Sequence, residues 1–183
     1  MKLACLGWGS LVWNPADLPI VGGWHPDGPA LPVEFARQSR DGRMTLVITD
    51  GATPQTVFWS ELKAKSQDEA RKILGAREGV PKANIPSSIG LWESGALSSD
   101  AVTRVIADWA VAAKLDGVVW TALPPKFGDK AITPSADQVI AYLAGLQGKP
   151  RRLAEEYVRR APSQIVTAYR QSIEGALGWT PAA

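Results

Sequence analysis

Hydrophobic and polar positions along this chain mark out short elements of changing period rather than one repeating unit. Leu3 to Leu6 is an apolar run that breaks into glycine, which predicts a strand. Val33–Ser39 and Met44–Thr49 read as two more strands, and the Arg40-Asp41-Gly42-Arg43 segment between them carries the Asp-Gly signal of a hairpin. Thr56–Leu62 predicts a further strand. Ser66-Gln67-Asp68-Glu69 has the form of a capping box with acidic residues at a helix start. Ala70, Ile73, Leu74 and Arg77 then follow helical spacing up to a stop at Gly79.

Beyond that point, a second helix is expected from near Ser98 or Ser99. Val102, Val105, Ile106, Trp109 and Ala113 would form its apolar face, and Asp116-Gly117 would close it. Val118-Val119-Trp120 reads as a short buried strand. Thr133-Pro134 opens another helix with Val139, Ile140, Tyr142, Leu143 and Leu146 inward. Two more helical stretches lie near 151–160 and 163–177, separated around Pro162. Residues 14–30, rich in Pro and Gly, read as a long irregular loop, a kind often functional in compact domains. A largely β first half and a helical C-terminal part, without regular βα alternation, imply an α+β fold.

Composition narrows the picture modestly. At 183 residues, with no repeat or clean linker, the chain is expected to form a single domain, 1–183, with a substantial core. Its 20 basic and 18 acidic residues leave a formal charge of +2, too slight a balance to imply nucleic acid or an anionic membrane as partner. Arg151, Arg152, Arg159 and Arg160 are interrupted by Glu155 and Glu156 and read as a solvated helix face. Leu3-Ala4-Cys5 lacks the preceding apolar segment of a lipoprotein signal, and no run approaches the roughly 20 residues of a membrane span. One cysteine, Cys5, excludes an internal disulfide and suits a reducing compartment, so a cytoplasmic location is expected.

The same scarcity removes several chemistries. His25 is the only histidine, and Gly7-Trp8-Gly9-Ser10 lacks the Gly-x-Ser-x-Gly elbow of a serine hydrolase. One cysteine and one histidine exclude a Cys/His metal site, and no dense Asp/Glu spacing suggests a carboxylate one. Val12 stands where a dinucleotide fingerprint needs its third glycine, and no Gly-Lys-Ser/Thr follows. Cys5 lies in a strand and reads as a small buried hydrophobe. General acid–base work would then fall to a carboxylate. Among eight tryptophans, Trp8 and Trp13 flank the glycine turn and are set apart from ordinary core residues.

The turn itself, with glycines free to adopt φ > 0, offers consecutive N–H groups that favour an anion such as a carboxylate. Gly7-Trp8-Gly9-Ser10-Leu11-Val12-Trp13-Asn14-Pro15 resembles the Gly-Tyr-Gly-Ser-Leu-(x)-Trp-(Asp)-Pro signature of the γ-glutamyl cyclotransferase-like superfamily, especially its ChaC-like branch. Arg37, Ser39 and Arg43 resemble that branch's Arg–Ser–Arg run, and Gly75-Ala76-Arg77-Glu78-Gly79-Val80 its glutamate region; together these cover roughly half the chain. The resemblance implies a small mixed or antiparallel β-barrel with surrounding helices and a site at the barrel mouth. It implies a γ-glutamyl small molecule as substrate, Glu78 as catalytic base, substrate contacts from Gly7, Trp8, Gly9, Ser10, Leu11, Arg37 and Ser39, and no cofactor or metal.

Physical chemistry supports parts of this. A carboxylate at a helix C-terminus faces the negative end of the dipole, which raises its pKa toward the range useful for deprotonating an ammonium group. Strand alternation would put Arg37 and Ser39 on the face of Val33 and Phe35, where Arg37 could grip a carboxylate bidentately. The plainer alternatives stay open: Glu78 as a helix-end residue paired with Arg77, and Arg37 as a strand-end cation reaching solvent or a salt bridge. Glu34 and Glu93 are lesser acidic candidates, and Lys126 could shape one wall. Trp8 replaces the family's tyrosine, and the Tyr157-Val158-Arg159-Arg160-Ala161-Pro162 region matches the ChaC-like end only loosely. A non-catalytic binding module and a transferase delivering the γ-glutamyl group to an external amine are the alternative functions. Oligomeric state is left open.

Overall fold

The computed structural model describes residues 1–98 and 100–182. In chain order the elements are β1 (Leu3–Gly7), α1 (Ser10–Trp13), β2 (Ile20–His25), β3 (Ala30–Leu31), β4 (Val33–Gln38), β5 (Met44–Ile48), β6 (Gln55–Thr56) and β7 (Phe58–Leu62). There follow α2 (Gln67–Arg77), a 3₁₀ turn (Lys82–Asn84), α3 (Ile85–Ser88), β8 (Ile89–Glu93), α4 (Ala101–Ala112), β9 (Gly117–Thr121), α5 (Ala136–Gly145), α6 (Gly148–Arg160) and α7 (Ala168–Leu177). The chain's contacts separate two units, one formed by Met1–Gly7, Asn14–Leu31 and Thr56–Leu123, the other by Trp8–Trp13, Pro32–Gln55 and Pro124–Ala183.

The first unit is built on a five-stranded mixed sheet of order β2-β7-β1-β9-β8. β1 lies at its centre with all five residues buried, as a continuous apolar run demands. It pairs antiparallel with β7 (Ala4 opposite Glu61, Gly7 opposite Phe58) and parallel with β9 (Leu3 opposite Gly117). β2 and β8 end the sheet, so the expected closed barrel is not found among the described residues. The α+β class stands: one parallel pair sits among antiparallel ones, and helices pack against the sheet.

α2 packs on β9, β8 and β1 through Ala70, Leu74 and Gly75. Its start follows the expected cap: the Glu69 N–H donates to Ser66 Oγ at 3.1 Å. The Glu69 carboxylate accepts from the Lys65 N–H instead of the Ser66 N–H, so the box is shifted by one residue on that side. Its end is also as expected, because Gly79 adopts φ 65° and the Val80 N–H closes on the Gly75 carbonyl at 2.9 Å.

Three expectations for this unit need correction. Residues 14–30 are not wholly irregular, since β2 pairs with β7 through a register shift between Val21 and His25. An edge strand tolerates that irregularity, and Gly22 at φ 76° supplies it. β8 was not expected at all. α4 begins after Asp100, whose carboxylate accepts from the Thr103 N–H at 2.8 Å; Ser99 lies outside the described residues. Of its expected apolar face only Ile106 is buried, together with Ala110, while Val105 is exposed.

The second unit combines the β4–β5 hairpin with α5, α6 and α7, around Phe35, Met44, Leu143, Ile165 and Ile173. The hairpin turn is where Asp-Gly placed it: the Ser39 N–H donates to the Arg43 carbonyl at 2.9 Å. α5 starts two residues later than Thr133-Pro134 suggested, since Ser135 and Gln138 form the complete capping box. α7 starts at Ala168, capped by Thr167, whereas 163–167 is extended chain and turn. On α6, Arg159 pairs with Glu155 at 3.2 Å and Arg160 with Glu156 at 3.1 Å, the solvated face expected from the sequence.

Candidate functional site

Within the first unit, the residue of greatest chemical interest is Glu78. It is the C-cap of α2, its backbone fixed by an N–H to the Leu74 carbonyl at 3.0 Å and by the left-handed turn at Gly79. Its side chain is only 16% exposed. Arg77 Nη1 donates to Glu78 Oε1 at 2.7 Å, and Arg77 Nη2 donates to the Asn14 carbonyl at 2.6 Å. Arg77 is itself 14% exposed, so this ion pair is largely withdrawn from water.

The pair lies within electrostatic reach of β1. Burial pushes the Cys5 thiol up to about 12, with the Glu78 charge adding to that rise and Arg77 opposing it. Cys5 is therefore an inert buried thiol at neutral pH, as read from the sequence. It stands two residues before Gly7, the last residue of β1, which is buried and opposite Phe58.

The remaining expected binding residues belong to the second unit, where the structure gives each a specific surrounding. The glycine turn tightens into the single helical turn α1, with the Val12 N–H donating to the Gly9 carbonyl at 3.0 Å. Neither Gly7 nor Gly9 takes a positive φ, contrary to the conformational reason expected for them. Gly9 answers a steric demand instead: a Cβ there would lie 2.4 Å from the Tyr157 hydroxyl. Ser10 is half-buried at the start of α1, and Leu11 is buried.

Trp8 is a core residue, although the sequence set it apart from the core. It is buried, and its indole N–H donates to the Leu46 carbonyl at 3.1 Å. Trp13 meets Tyr157 edge-on at 5.3 Å, with the Arg160 guanidinium 5.9 Å from its ring.

Arg37 departs from the strand alternation expected of it. A bulge between Phe35 and Arg37 shifts the register, and Val33, Glu34, Phe35 and Ala36 are all buried, so both faces of β4 are covered there. Arg37 Nη1 donates to the Pro124 carbonyl at 2.6 Å, and burial lowers the guanidinium's pKa. Lys126 joins it through the backbone, its N–H donating to the Ala36 carbonyl at 3.1 Å. Ser39 is committed to the hairpin turn: Oγ donates to Asp41 Oδ1 at 2.6 Å and accepts from the Arg43 N–H at 3.1 Å. Arg43 donates from Nε to the same Asp41 oxygen at 2.9 Å, and its guanidinium lies 5.6 Å from the Tyr157 ring centroid.

Glu34, a lesser candidate, is 4% exposed and caps α7. It accepts from the Thr167 hydroxyl, from the Phe35 N–H at 2.9 Å and from the Tyr169 N–H at 3.2 Å. Burial raises its pKa, while these bonds pull the other way. Glu93, at the end of β8, is exposed.

A cleft of about 550 Å³ in the first unit is lined by Asp68, Arg71, Lys72, Ala76, Val80, Lys82, Ile85 and Pro86, none of them among the expected site residues. No group of three His, Cys, Asp or Glu side chains that could hold a metal ion occurs among the described residues. Two participants were not legible as such. The Asn14 carbonyl is a backbone group any residue would supply, and Tyr157 showed only as part of a loosely matching C-terminal segment.

No protein-family model matches the sequence, and no curated protein matches it. Among solved structures, the chain is similar to the γ-glutamyl cyclotransferase specific to glutathione from yeast. That match covers 97% of this chain and 98% of the other, at 13% identity and a TM-score of 0.45.

Proposed function

We propose that this chain is a cofactor-independent γ-glutamyl cyclotransferase-like enzyme that converts a γ-glutamyl amine or peptide to pyroglutamate and a free amine. The observation that carries the reading is Glu78: a carboxylate held at a helix terminus, mostly withdrawn from water and paired with Arg77. It stands in the segment that resembles the family's glutamate region.

In this reading Glu78 accepts a proton from the substrate's α-ammonium group. The freed amine attacks the γ-carbonyl of the same molecule, so a carbon–nitrogen bond forms as the five-membered lactam closes. The γ-amide bond then breaks as Glu78 returns that proton to the departing nitrogen. The second proton, shed by the attacking nitrogen as it becomes the lactam N–H, is taken up by the released amine, which leaves as an ammonium ion. Atoms and charge balance without an oxidant, metal or covalent enzyme intermediate. Intramolecular attack is entropically favourable, so holding the reactive geometry supplies much of the acceleration. The residues that the resemblance marks for substrate contact are Gly7, Trp8, Gly9, Ser10, Leu11, Arg37 and Ser39.

The test is pyroglutamate release from a panel of γ-glutamyl amines and peptides. Glu78→Gln should lower kcat/KM by about 10²–10⁴-fold, the range for losing a general acid–base group, while circular dichroism stays unchanged. Saturable ligand stabilisation without product would replace the enzyme by a binding module. Product carrying the γ-glutamyl group on an added amine would replace the cyclase by a transferase.

A further inference from the structure

Two adjacent residues of a helix point about 100° apart and do not ordinarily face each other. Arg77 and Glu78 nevertheless pair at 2.7 Å, which they achieve because Glu78 is the cap residue, where the helix gives way to the turn at Gly79. The guanidinium does not simply follow its neighbour. Its second nitrogen donates at 2.6 Å to the Asn14 carbonyl, 63 residues away in sequence and directly after the Gly-Trp-Gly-Ser-Leu-Val-Trp run.

We propose that Arg77 is a positioning residue, a two-armed clamp that fixes the Glu78 carboxylate relative to the segment following α1. This rests on the assignment of Glu78 as the base. The planar fork suits the role, because its nitrogens are rigidly spaced; one donor can hold the carboxylate while another is anchored to the main chain. A lysine offers a charge without that fork. Both side chains are about six-sevenths shielded, so the interaction is less screened than an exposed pair and the geometry is worth more than the usual surface salt bridge.

The clamp also carries the charge that keeps the base in its working form. The helix C-terminus presents partial negative charge to Glu78. Cys5, the titratable group on β1 that feels the pair, is neutral at working pH, since burial pushes it up to about 12. Arg77 is a positive group that favours an ionised carboxylate before substrate arrives, and its bond to Oε1 restrains the carboxylate's rotation.

Two measurements decide this on the full-length chain. The first follows the Glu78 side-chain carboxyl carbon by NMR against pH in wild type, Arg77→Met and Arg77→Lys, with amide spectra confirming that the fold is kept. Losing an opposite charge within hydrogen-bond distance should move the Glu78 titration upward by about one pH unit or more in the Met variant, with Lys intermediate. Identical titrations in all three overturn the clamp. Should the Met variant not fold, the Lys variant against wild type carries the same comparison.

The second is turnover. Arg77→Met should lower kcat by about 10- to 100-fold with KM little changed and the acid limb of the pH profile displaced upward, while Arg77→Lys restores part of kcat. A change confined to KM overturns a positioning role. Absence of turnover in wild type against the whole substrate panel overturns the cyclotransferase reading alone, and the NMR titration, which needs no substrate, still decides the clamp.

Discussion

At the scale of single residues, Gly9 shows how the physical demand for a glycine can differ from the one its sequence suggests. The sequence marks Gly7 and Gly9 as positions of backbone freedom, yet neither uses the left-handed region. What Gly9 provides is space for Tyr157, whose hydroxyl accepts from the Leu46 N–H at 3.2 Å and whose ring is wedged against Trp13 and Phe35. That hydroxyl sits at the end of a side chain which is nearly buried and cannot swing aside. Gly9→Ala should therefore destabilise by about 1–3 kcal/mol, the range for overpacking. Tyr157→Phe should relieve it, because the next atom of the ring lies 3.4 Å from the added methyl, an ordinary contact. A double-mutant cycle by urea denaturation should give a coupling of at least about 0.5 kcal/mol; additive effects would place the strain elsewhere. A residue's spatial neighbour 148 positions away leaves no local trace in sequence, whereas Arg77-Glu78-Gly79 is legible because cap, pair and stop are consecutive.

At the scale of elements, what the sequence revealed follows local chemistry closely. The hairpin at Asp41-Gly42, the cap at Ser66 and the stop at Gly79 were readable because each is specified within four residues. β8 escaped because Ile89-Gly90-Leu91-Trp92-Glu93 lacks clear alternation and has a glycine at its second position, and its strand state is set by pairing with β9. The late start of α7 has a cause that no local pattern carries. Arg170 is 1% exposed and donates to the Pro162, Ile165, Val158 and Ala161 carbonyls at 2.7, 3.0, 3.2 and 2.8 Å, and to Glu174 at 3.1 Å. One guanidinium thus satisfies the carbonyls that α6 leaves open at its end and organises the chain up to α7. Burial lowers its pKa, partly offset by Glu174. Arg170→Met strands those carbonyls and the Glu174 charge, and should cost about 3–5 kcal/mol, as when one partner of a buried pair is removed. Urea denaturation monitored by tryptophan fluorescence reads this directly, and a loss under 1 kcal/mol would mean that water replaces the guanidinium.

At the scale of the whole molecule, three carboxyl groups give stability a pH dependence of two opposing signs. Asp41 is lowered: desolvation raises it, but hydrogen bonds from Ser39 and Arg43 and the Arg43 charge outweigh that. Asp100 is lowered chiefly by the Thr103 N–H. Each contributes stability that is present above its unfolded pKa, about 3.9, and is lost as pH falls through the folded value. Glu34 runs the other way. Its folded pKa is raised, mainly by burial. Its contribution is complete below the unfolded value, about 4.3, and is lost as pH rises through the folded one. Glu34→Gln removes that second arm, because an amide occupies the same cavity without acquiring charge. Its N–H₂ cannot accept from the Tyr169 N–H, which adds a penalty of roughly 1 kcal/mol that does not vary with pH. Urea denaturation from pH 3 to pH 8 should thus show both proteins losing stability below about pH 4. Above that, the difference between them should drift in favour of the Gln variant as pH rises toward 7. A constant difference, or a drift toward wild type, would mean that the helix-capping bonds to Glu34 outweigh its burial.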